Sequence, residues 1–312
     1  MMTGRHFLNV RDLSGAQLRR ILDLATEYKT ALKAGRTSTS MAGRSLGIIF
    51  EKPSTRTRVS FDVGMYQMGG HTVVLAPGDM HLGRGETIPD TAQVLSRYVD
   101  AIMLRTDDPS KMHALAAHAT VPVINGLTDD THPCQIIADI MTFEEHRGPI
   151  AGRVIAWTGD ANNVAASFAE AAIRLGFEFR IACPASMPPA AWLTTWLKNP
   201  GETATGGKVT VMEDPKAAVT GADCVVTDTW TSMHQEGDGL DRHSLFAPYR
   251  VDEALMALAK DDALFMHCLP AHRGEEVTDP VMDGPHSVVF DEAENRLHAQ
   301  KGVLHWCLLG DA

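Results

Sequence analysis

The chain has 312 residues, of which 44% are hydrophobic and 21% charged, a composition that allows a sizeable core and excludes a disordered or fibrous protein. Lys and Arg total 28 against 39 Asp and Glu, so the formal net charge of −11 has the wrong sign for a nucleic-acid partner. The sequence lacks an apolar run of about 18 residues and a signal-like N-terminus, which predicts a protein without a membrane span or an export signal.

The cysteines and the distribution of charge limit further the class of protein to which this sequence can belong. The five cysteines are scattered and none forms a CxxC pair, which argues against a disulfide framework or a structural zinc site and fits a reducing cytoplasm. Residues 1–147 hold 16 basic and 16 acidic residues, so residues 148–312 carry the whole negative excess. This asymmetry suits an anionic ligand in the first half and a cationic one in the second, although a solvated acidic surface is the simpler interpretation.

The first predicted element is a long amphipathic helix. Ser14 and Gln17 have the spacing of a capping box, and apolar residues then recur at helical intervals as far as Leu32. Short apolar runs alternate with helical patterns from there on, and these runs are SLGIIF, HTVVL, DAIMLRT and VPVIN. The alternation predicts βαβ units around a parallel sheet.

A domain boundary is predicted where the helical pattern CQIIADIMTFEEH meets the stop signal Arg147-Gly148-Pro149, giving domains over residues 1–147 and 148–312. The second domain repeats the alternation, with predicted strands in RVIAWTGD, FRIACP, GKVTVM, ADCVVTDT and ALFMHCL. A last predicted helix, at about residues 293–309, packs back on the first domain. The predicted fold class is α/β, with two domains that each contain a parallel sheet flanked by helices.

Chemistry-bearing residues follow the predicted strands, where open parallel sheets bind ligands. The segment from Lys52 to Arg58 opens a helix and offers hydroxyls, guanidinium groups and backbone N–H donors that suit a phosphate, the alternative being a solvated helix start. It is not a Walker A loop. Arg105 and His132 end two further strand regions, and together they would stabilise an oxyanion at a carbonyl that a nucleophile attacks. Taken alone, His132 is more typical of a structural histidine.

An ordered set of motifs resembles the aspartate/ornithine transcarbamoylase family, and most closely its ornithine-specific members. The motifs are Ser-Thr-Arg-Thr-Arg, HLGRGE, Leu-Arg-Thr, HPCQ, GDANN, DTWTSM and HCLPAHRGEE, and the resemblance as a whole extends from about Leu13 to Leu308. The resemblance implies a cytoplasmic homotrimeric transferase of arginine biosynthesis without a cofactor. Its first domain would bind carbamoyl phosphate and its second ornithine, so that the carbamoyl group passes to the side-chain amine and gives citrulline and phosphate.

The resemblance also implies site residues. It implies that the phosphate is held by Ser54, Thr55, Arg56 and Thr57. It implies that the rest of carbamoyl phosphate is contacted by Arg105, His132, Gln135, Cys268, Leu269, Arg296 and, from a neighbouring subunit, His81. It implies that ornithine is held by Asn163, Asp228, Ser232 and Met233. The implied catalytic groups are Arg105, His132, Cys268 and Asp228.

Without the resemblance, the chemistry of the residue types supports only part of this assignment. Asp228 after an apolar strand is a carboxylate that attracts a cation, yet a turn or helix cap is an equal interpretation. Cys268 near the amine would assist its deprotonation, whereas a buried inert cysteine is the ordinary case. His267, Cys268 and His272 hint at metal ligation, but a complete ligand set is missing, and the family implies no metal for turnover.

Alternatives concern the acceptor and the class of protein. The family usually has Ser-Met-Gly where this chain has Ser232-Met233-His234, which leaves acetylornithine open as the acceptor. Putrescine would leave the groups for an α-carboxylate unused, and aspartate is disfavoured because residues 224–241 contain no Lys or Arg. A non-catalytic module that binds an anion and an amino acid is the alternative from another class.

Overall fold

The computed structural model describes residues 5–52, 54–76, 85–202, 204–231 and 241–310. The chain divides into two compact units, one formed by Met1–Met141 with Glu294–Ala312 and the other by Thr142–Ala293. None of the helices in these ranges combines the length and apolarity needed to cross a lipid bilayer.

The first unit contains a parallel sheet with the strand order β2-β1-β3-β4. Its strands are β1 (Ser45–Phe50), β2 (His71–Leu75), β3 (Ala101–Arg105) and β4 (Val123–Leu127). Its helices are the 3-10 helix Val10–Asp12, α1 (Gly15–Lys33), α2 (Thr55–Gln67), α3 (Ile88–Leu95), α4 (Pro109–His118) and the greater part of α5 (Pro133–Arg147). The inner strands are almost wholly buried, whereas edge strand β2 is partly exposed.

The second unit contains a parallel sheet with the strand order β7-β6-β5-β8-β9. Its strands are β5 (Val154–Thr158), β6 (Glu178–Ala182), β7 (Lys208–Met212), β8 (Cys224–Thr227) and β9 (Leu264–His267). Its helices are α6 (Asn163–Leu175), α7 (Ala191–Lys198), α8 (Pro215–Val219), α9 (Arg242–Phe246), the 3-10 helix Ala247–Tyr249, α10 (Glu253–Met256) and α11 (Asp279–Met282).

The predicted fold class is confirmed, because both sheets are parallel and flanked by helices. The Ser14 capping box is present at the start of α1, where the Ser14 side chain accepts from the Gln17 N–H and the Gln17 side chain accepts from the Ser14 N–H. The last helix, α12 (Val289–Leu309), begins a few residues earlier than predicted, and its residues from Glu294 onward belong to the first unit. The two compact units divide after Met141, inside α5, and α5 itself ends at Arg147.

Helix α12 approaches α1 at a glycine. A Cβ atom added at Gly302 would lie 2.5 Å from the Ile21 carbonyl oxygen and 3.1 Å from the Ala25 Cβ. The carbonyl is rigid backbone, so a methyl group here would have to separate the two helices. Glycine is therefore required at this position by close packing, and not by its backbone angles.

Gly302→Ala is expected to lower the free energy of unfolding by about 1–3 kcal/mol, because overpacking a tight contact forces backbone shifts. Urea denaturation followed by circular dichroism measures the change. Gly64 in α2 is the matched control, since a Cβ there would meet no atom closer than 3.6 Å. Gly64→Ala should be neutral or stabilise by about 0.5–1 kcal/mol. Equal stability of the two variants would contradict the tight contact at Gly302.

Candidate functional site

The carboxyl ends of three adjacent strands bring the predicted anion-binding residues of the first unit together. Ser54 follows β1, Arg105 ends β3, and His132 follows β4, and these strands are neighbours in the order β1-β3-β4. The strand order reverses direction between β1 and β3, which is the point where open α/β sheets bind ligands.

Thr57 and Gln135 organise the arginines of this cluster. The Thr57 hydroxyl oxygen accepts from Arg105 Nη1 at 3.3 Å and from Arg296 Nη2 at 3.4 Å. Arg296 Nη1 donates to Gln135 Oε1 at 2.5 Å, and Gln135 Nε2 donates to Asp139 Oδ1 at 2.7 Å. Thr57, Gln135, Asp139 and Arg296 are all buried, so this network holds its guanidinium groups in fixed directions.

The N-terminus of α2 supplies further donors to the same cluster. Ser54 is its N-cap, with its hydroxyl accepting from the Thr57 N–H at 3.3 Å. Thr55 and Arg56 lie in the first turn and are exposed. First-turn N–H groups carry the positive end of the helix dipole, so the hydroxyls, amides and guanidinium groups here form a strongly anion-attracting surface.

His132 is buried beside these cations. Burial lowers its pKa well below the ordinary value of 6.5, and the positive charges of Arg296, Arg105 and Arg56 lower it further. The imidazole is therefore neutral at physiological pH, and a neutral imidazole has one N–H donor and one acceptor nitrogen. Such a group can donate to a carbonyl oxygen without adding a mobile proton to the site.

His132 is expected to remain neutral as the pH falls below 6.5, the ordinary histidine value, because burial and the neighbouring arginines lower its pKa. Below pH 6.5 the unfolded chain binds a proton at this residue while the folded chain does not, so this group lowers the free energy of unfolding as the pH falls. Nitrogen NMR of the imidazole measures the protonation state, and a His132→Gln variant should show a weaker acid destabilisation. A titration of His132 near pH 6.5 would contradict the assignment.

In the second unit, another three neighbouring strands end at the predicted amine-binding residues. The predicted Asn163 and its neighbour Asn162 follow β5, Asp228 follows β8, and Cys268 follows β9. The Cys268 thiol donates to Asp228 Oδ1 at 3.1 Å, and Asn162 Nδ2 donates to Asp228 Oδ2 at 2.8 Å. The Thr229 N–H also donates to Oδ1, at 2.7 Å. Asp228 is thus a fixed carboxylate at a strand-order switch point, which suits a cationic or amine ligand.

A buried pair of side chains, His267 and Glu276, supports the segment that carries Cys268. Leu269 is the one non-glycine residue in the described ranges with a positive φ, of 58°, and its N–H donates to His267 Nδ1 at 2.9 Å. His267 Nε2 lies 3.1 Å from Glu276 Oε1, and both side chains are fully buried. Positive φ is costly for leucine, so the hydrogen bond to His267, which itself lies beside Glu276, helps to hold this backbone conformation.

Other predicted residues have simpler positions. Asn163 is the first residue of α6, and the Asn162 side chain caps that helix by accepting from the N–H groups of Val164 and Ala165. His81, Ser232 and Met233, together with the variant residue His234, lie outside the described residues. His267 and Cys268 form, with Asp228, one group whose ligand atoms lie within 4.8 Å of one another, whereas His272 belongs to a separate group with Glu275 and Glu276.

Several supporting residues were missed from the sequence. Asp139 orients Gln135 from one helical turn further along α5. The four-residue spacing of these two side chains in a predicted helix is a signal that could have indicated their contact. Glu276 lies within the HCLPAHRGEE motif, but no role was predicted for it from the sequence. Asp160 is buried near Asp228, and its pKa is raised to about 6 by burial, with Arg242 opposing the rise and Asp228 adding to it. No local pattern reveals Asp160, because its environment depends on the fold.

Both halves of the chain match family models. Residues 5–145 match the carbamoyl-P binding domain of aspartate/ornithine carbamoyltransferase, and residues 151–307 match its Asp/Orn binding domain. The chain is 61% identical over 308 residues to the ornithine carbamoyltransferase of Agrobacterium fabrum, covering 99% of each chain. The solved ornithine carbamoyltransferase of Pyrococcus furiosus is 48% identical with a TM-score of 0.94, covering 98% of each chain.

A solved N-acetyl-L-ornithine transcarbamylase is also similar, with 32% identity, a TM-score of 0.85, and coverage of 97% of this chain and 99% of that one. The two ornithine carbamoyltransferases above are therefore nearer to this chain in sequence than this enzyme, which is named for a different substrate. Matches over both halves and high identity over nearly the full length place the chain in one family. It belongs to the aspartate/ornithine carbamoyltransferase family.

Proposed function

We propose that this chain transfers the carbamoyl group of carbamoyl phosphate to the side-chain amine of L-ornithine, giving L-citrulline and phosphate. The observation that carries the proposal is the 61% identity, over 99% of both chains, to an ornithine carbamoyltransferase. The two clusters support it in chemical terms, since one is cationic and rich in donors and the other presents a fixed carboxylate beside a thiol.

In the proposed reaction the first unit binds and polarises carbamoyl phosphate. Ser54, Thr55, Arg56 and Thr57 hold the phosphate through hydroxyls, first-turn amides and a guanidinium group. The carbamoyl end is fixed by Arg105, His132, Gln135, Arg296, Cys268, Leu269 and, from a neighbouring subunit, His81. Donors aimed at the carbonyl oxygen stabilise the negative charge that develops there, and their fixed directions require no reorganisation during the reaction.

The second half binds ornithine and prepares its amine. Asn163, Asp228, Ser232 and Met233 hold the amino acid. The neutral side-chain nitrogen attacks the carbonyl carbon, the bond from that carbon to the phosphate oxygen breaks, and phosphate leaves with the electron pair. The amine proton passes to Asp228, with the Cys268 thiol relaying it by giving its own proton to that carboxylate, or directly to the departing phosphate. Much of the acceleration then comes from holding two substrates in reacting positions.

Residues 1–147 would form the carbamoyl phosphate domain and residues 148–312 the ornithine domain, with the last helix counted in the first unit. A homotrimer is part of the proposal, supported by large apolar side chains that are exposed in the first unit. These are Val59, Tyr66, Val73, Val94 and Tyr98. Exposed apolar side chains such as these would be covered at an interface between subunits. Sedimentation velocity should give the mass of a trimer, and a monomer would contradict this part.

Arginine biosynthesis in the cytoplasm is the proposed setting. All five cysteines lie in the described part of the chain, and none forms a disulfide there. Burial raises the pKa of Cys134 to about 12 and that of Cys183 to about 11, so both thiols stay protonated and unreactive. Reduced cysteines of this kind support a reducing compartment.

The direct test is product release with carbamoyl phosphate and, separately, ornithine, acetylornithine, putrescine and aspartate. Citrulline and phosphate formed with ornithine alone would establish the acceptor and make His234 a tolerated variation. Turnover with acetylornithine or putrescine instead would keep the chemistry and move the acceptor assignment to residues 232–239. Absence of turnover with every amine would favour a binding module.

A further inference from the structure

A second group of ligand atoms lies in the segment after β9, apart from the substrate groups assigned above. Its core is formed by His272, Glu275 and Glu276, whose ligand atoms all lie within 4.8 Å of one another. His272 Nδ1 lies 3.8 Å from Glu275 Oε2 and 4.0 Å from Glu276 Oε2. An imidazole and two carboxylates therefore face one another across a small space.

Glu276 is the distinctive member of this group. Its side chain is fully buried, and Oε1 accepts from the His272 N–H at 2.6 Å and lies 3.1 Å from His267 Nε2. Its second oxygen, Oε2, has no hydrogen-bond partner among the described residues, although it is buried and faces His272. A buried carboxylate oxygen is costly unless something compensates it, so this atom points to a cation as its ligand.

The local charges are consistent with that ligand. In the described parts of the chain, imidazoles are the only basic side chains within 4.0 Å of the Glu275 and Glu276 carboxylates. Arg273 is adjacent in sequence, but its guanidinium group pairs with Asp279 and Asp283. Two carboxylates without a Lys or Arg partner within this distance carry a negative charge that a divalent cation would neutralise.

A further imidazole lies beside this group. His243 in α9 has its Nε2 atom 3.7 Å from Glu275 Oε2, and its ring packs edge-on against Trp230, but it lies outside the group of three ligand residues. The imidazole of His272 among the ligands favours zinc and similar transition metals over magnesium or calcium. Zinc–ligand bonds of about 2.0–2.2 Å need tetrahedral ligand separations of about 3.3–3.6 Å, so the 3.8–4.0 Å between His272 Nδ1 and the two carboxylates requires only a small contraction.

We propose that His272, Glu275 and Glu276 form a binding site for a divalent transition-metal ion of the zinc class. The ion crosslinks the segment after β9 and compensates the buried Glu276 oxygen. It is a structural ion and supplies no group to the transfer reaction. The proposal is independent of the function assigned above, because it concerns only binding of the ion and its effect on stability.

The experiment uses the full-length protein stripped of metal with a chelator. Calorimetry with Zn²⁺ should detect one site per chain, and the melting temperature should rise with zinc concentration. His272→Ala and Glu275→Gln, which alter side chains that are not buried, should each weaken zinc binding by at least about tenfold. His146→Ala is the matched control, since His146 pairs with Asp291 at 2.9 Å in an exposed pair and should bind zinc as wild type does.

The cluster of Asp228, His267 and Cys268 is the competing site, and cobalt distinguishes the two. Co²⁺ at the proposed site should give visible bands without the thiolate charge-transfer band that a cysteine ligand adds, and zinc binding should persist in Cys268→Ser. The proposal is overturned if no zinc binds, if His272→Ala binds zinc like wild type, or if binding is lost in Cys268→Ser.

Discussion

Arg56→Ala is expected to lower kcat/KM for carbamoyl phosphate by about a thousandfold, the effect of removing a strong donor from a site of developing charge. Arg56 lies in the first turn of α2 next to the buried Thr57, and its charge contributes to the low pKa of His132. A guanidinium group grips two phosphate oxygens at once, which neither water nor a backbone amide reproduces. Steady-state kinetics with carbamoyl phosphate as the varied substrate measures the loss.

Folding should survive this substitution, because Arg56 is exposed and surface changes usually alter stability by less than about 0.5 kcal/mol. Arg56→Lys keeps the charge but not the planar fork, so it should recover only part of the activity. Arg20→Ala is the control, since Arg20 lies on α1 of the same unit in a surface pair with Glu27 and should leave kinetics unchanged. Near wild-type turnover of Arg56→Ala would refute the phosphate assignment.

Asp228→Asn is expected to lower kcat by about 100-fold and to raise KM for ornithine by about tenfold, in line with the loss of a group that handles the amine proton. Both Asp228 oxygens accept hydrogen bonds, from Cys268 and Thr229 on one and from Asn162 on the other. An asparagine replaces one acceptor oxygen with a donor, so one of these partners loses its bond in addition to the lost charge.

The affinity for carbamoyl phosphate, measured by calorimetry without ornithine, should change less than about twofold in Asp228→Asn, because the proposed phosphate groups lie in the other unit. Asp252→Asn is the matched control. Asp252 caps α10 by accepting from the Leu255 N–H at 2.8 Å, and asparagine caps helices equally well. Unchanged ornithine kinetics in Asp228→Asn would mean that this carboxylate only holds the turn after β8.

Local patterns in the sequence were sufficient for the fold class and for the types of chemistry. Alternating apolar and helical segments predicted both parallel sheets, and the Ser14 capping box predicted the start of α1. These features depend on residues a few positions apart, whose geometry the helix and strand repeats determine. The ordered motifs then indicated the family, which the two domain models match.

The contacts of the site depend on long-range packing, which no local pattern contains. Arg296 reaches Gln135 across 161 positions, and Cys268 reaches Asp228 across 40, because strand order and the return of α12 bring them together. Burial lowers the pKa of His132 and raises that of Asp160, and burial is a property of the packed chain. The tight contact at Gly302 and the burial of the Glu276 oxygen likewise arise only when the chain packs. Each depends on the positions of surrounding atoms, which the spacing of residues along the chain does not determine.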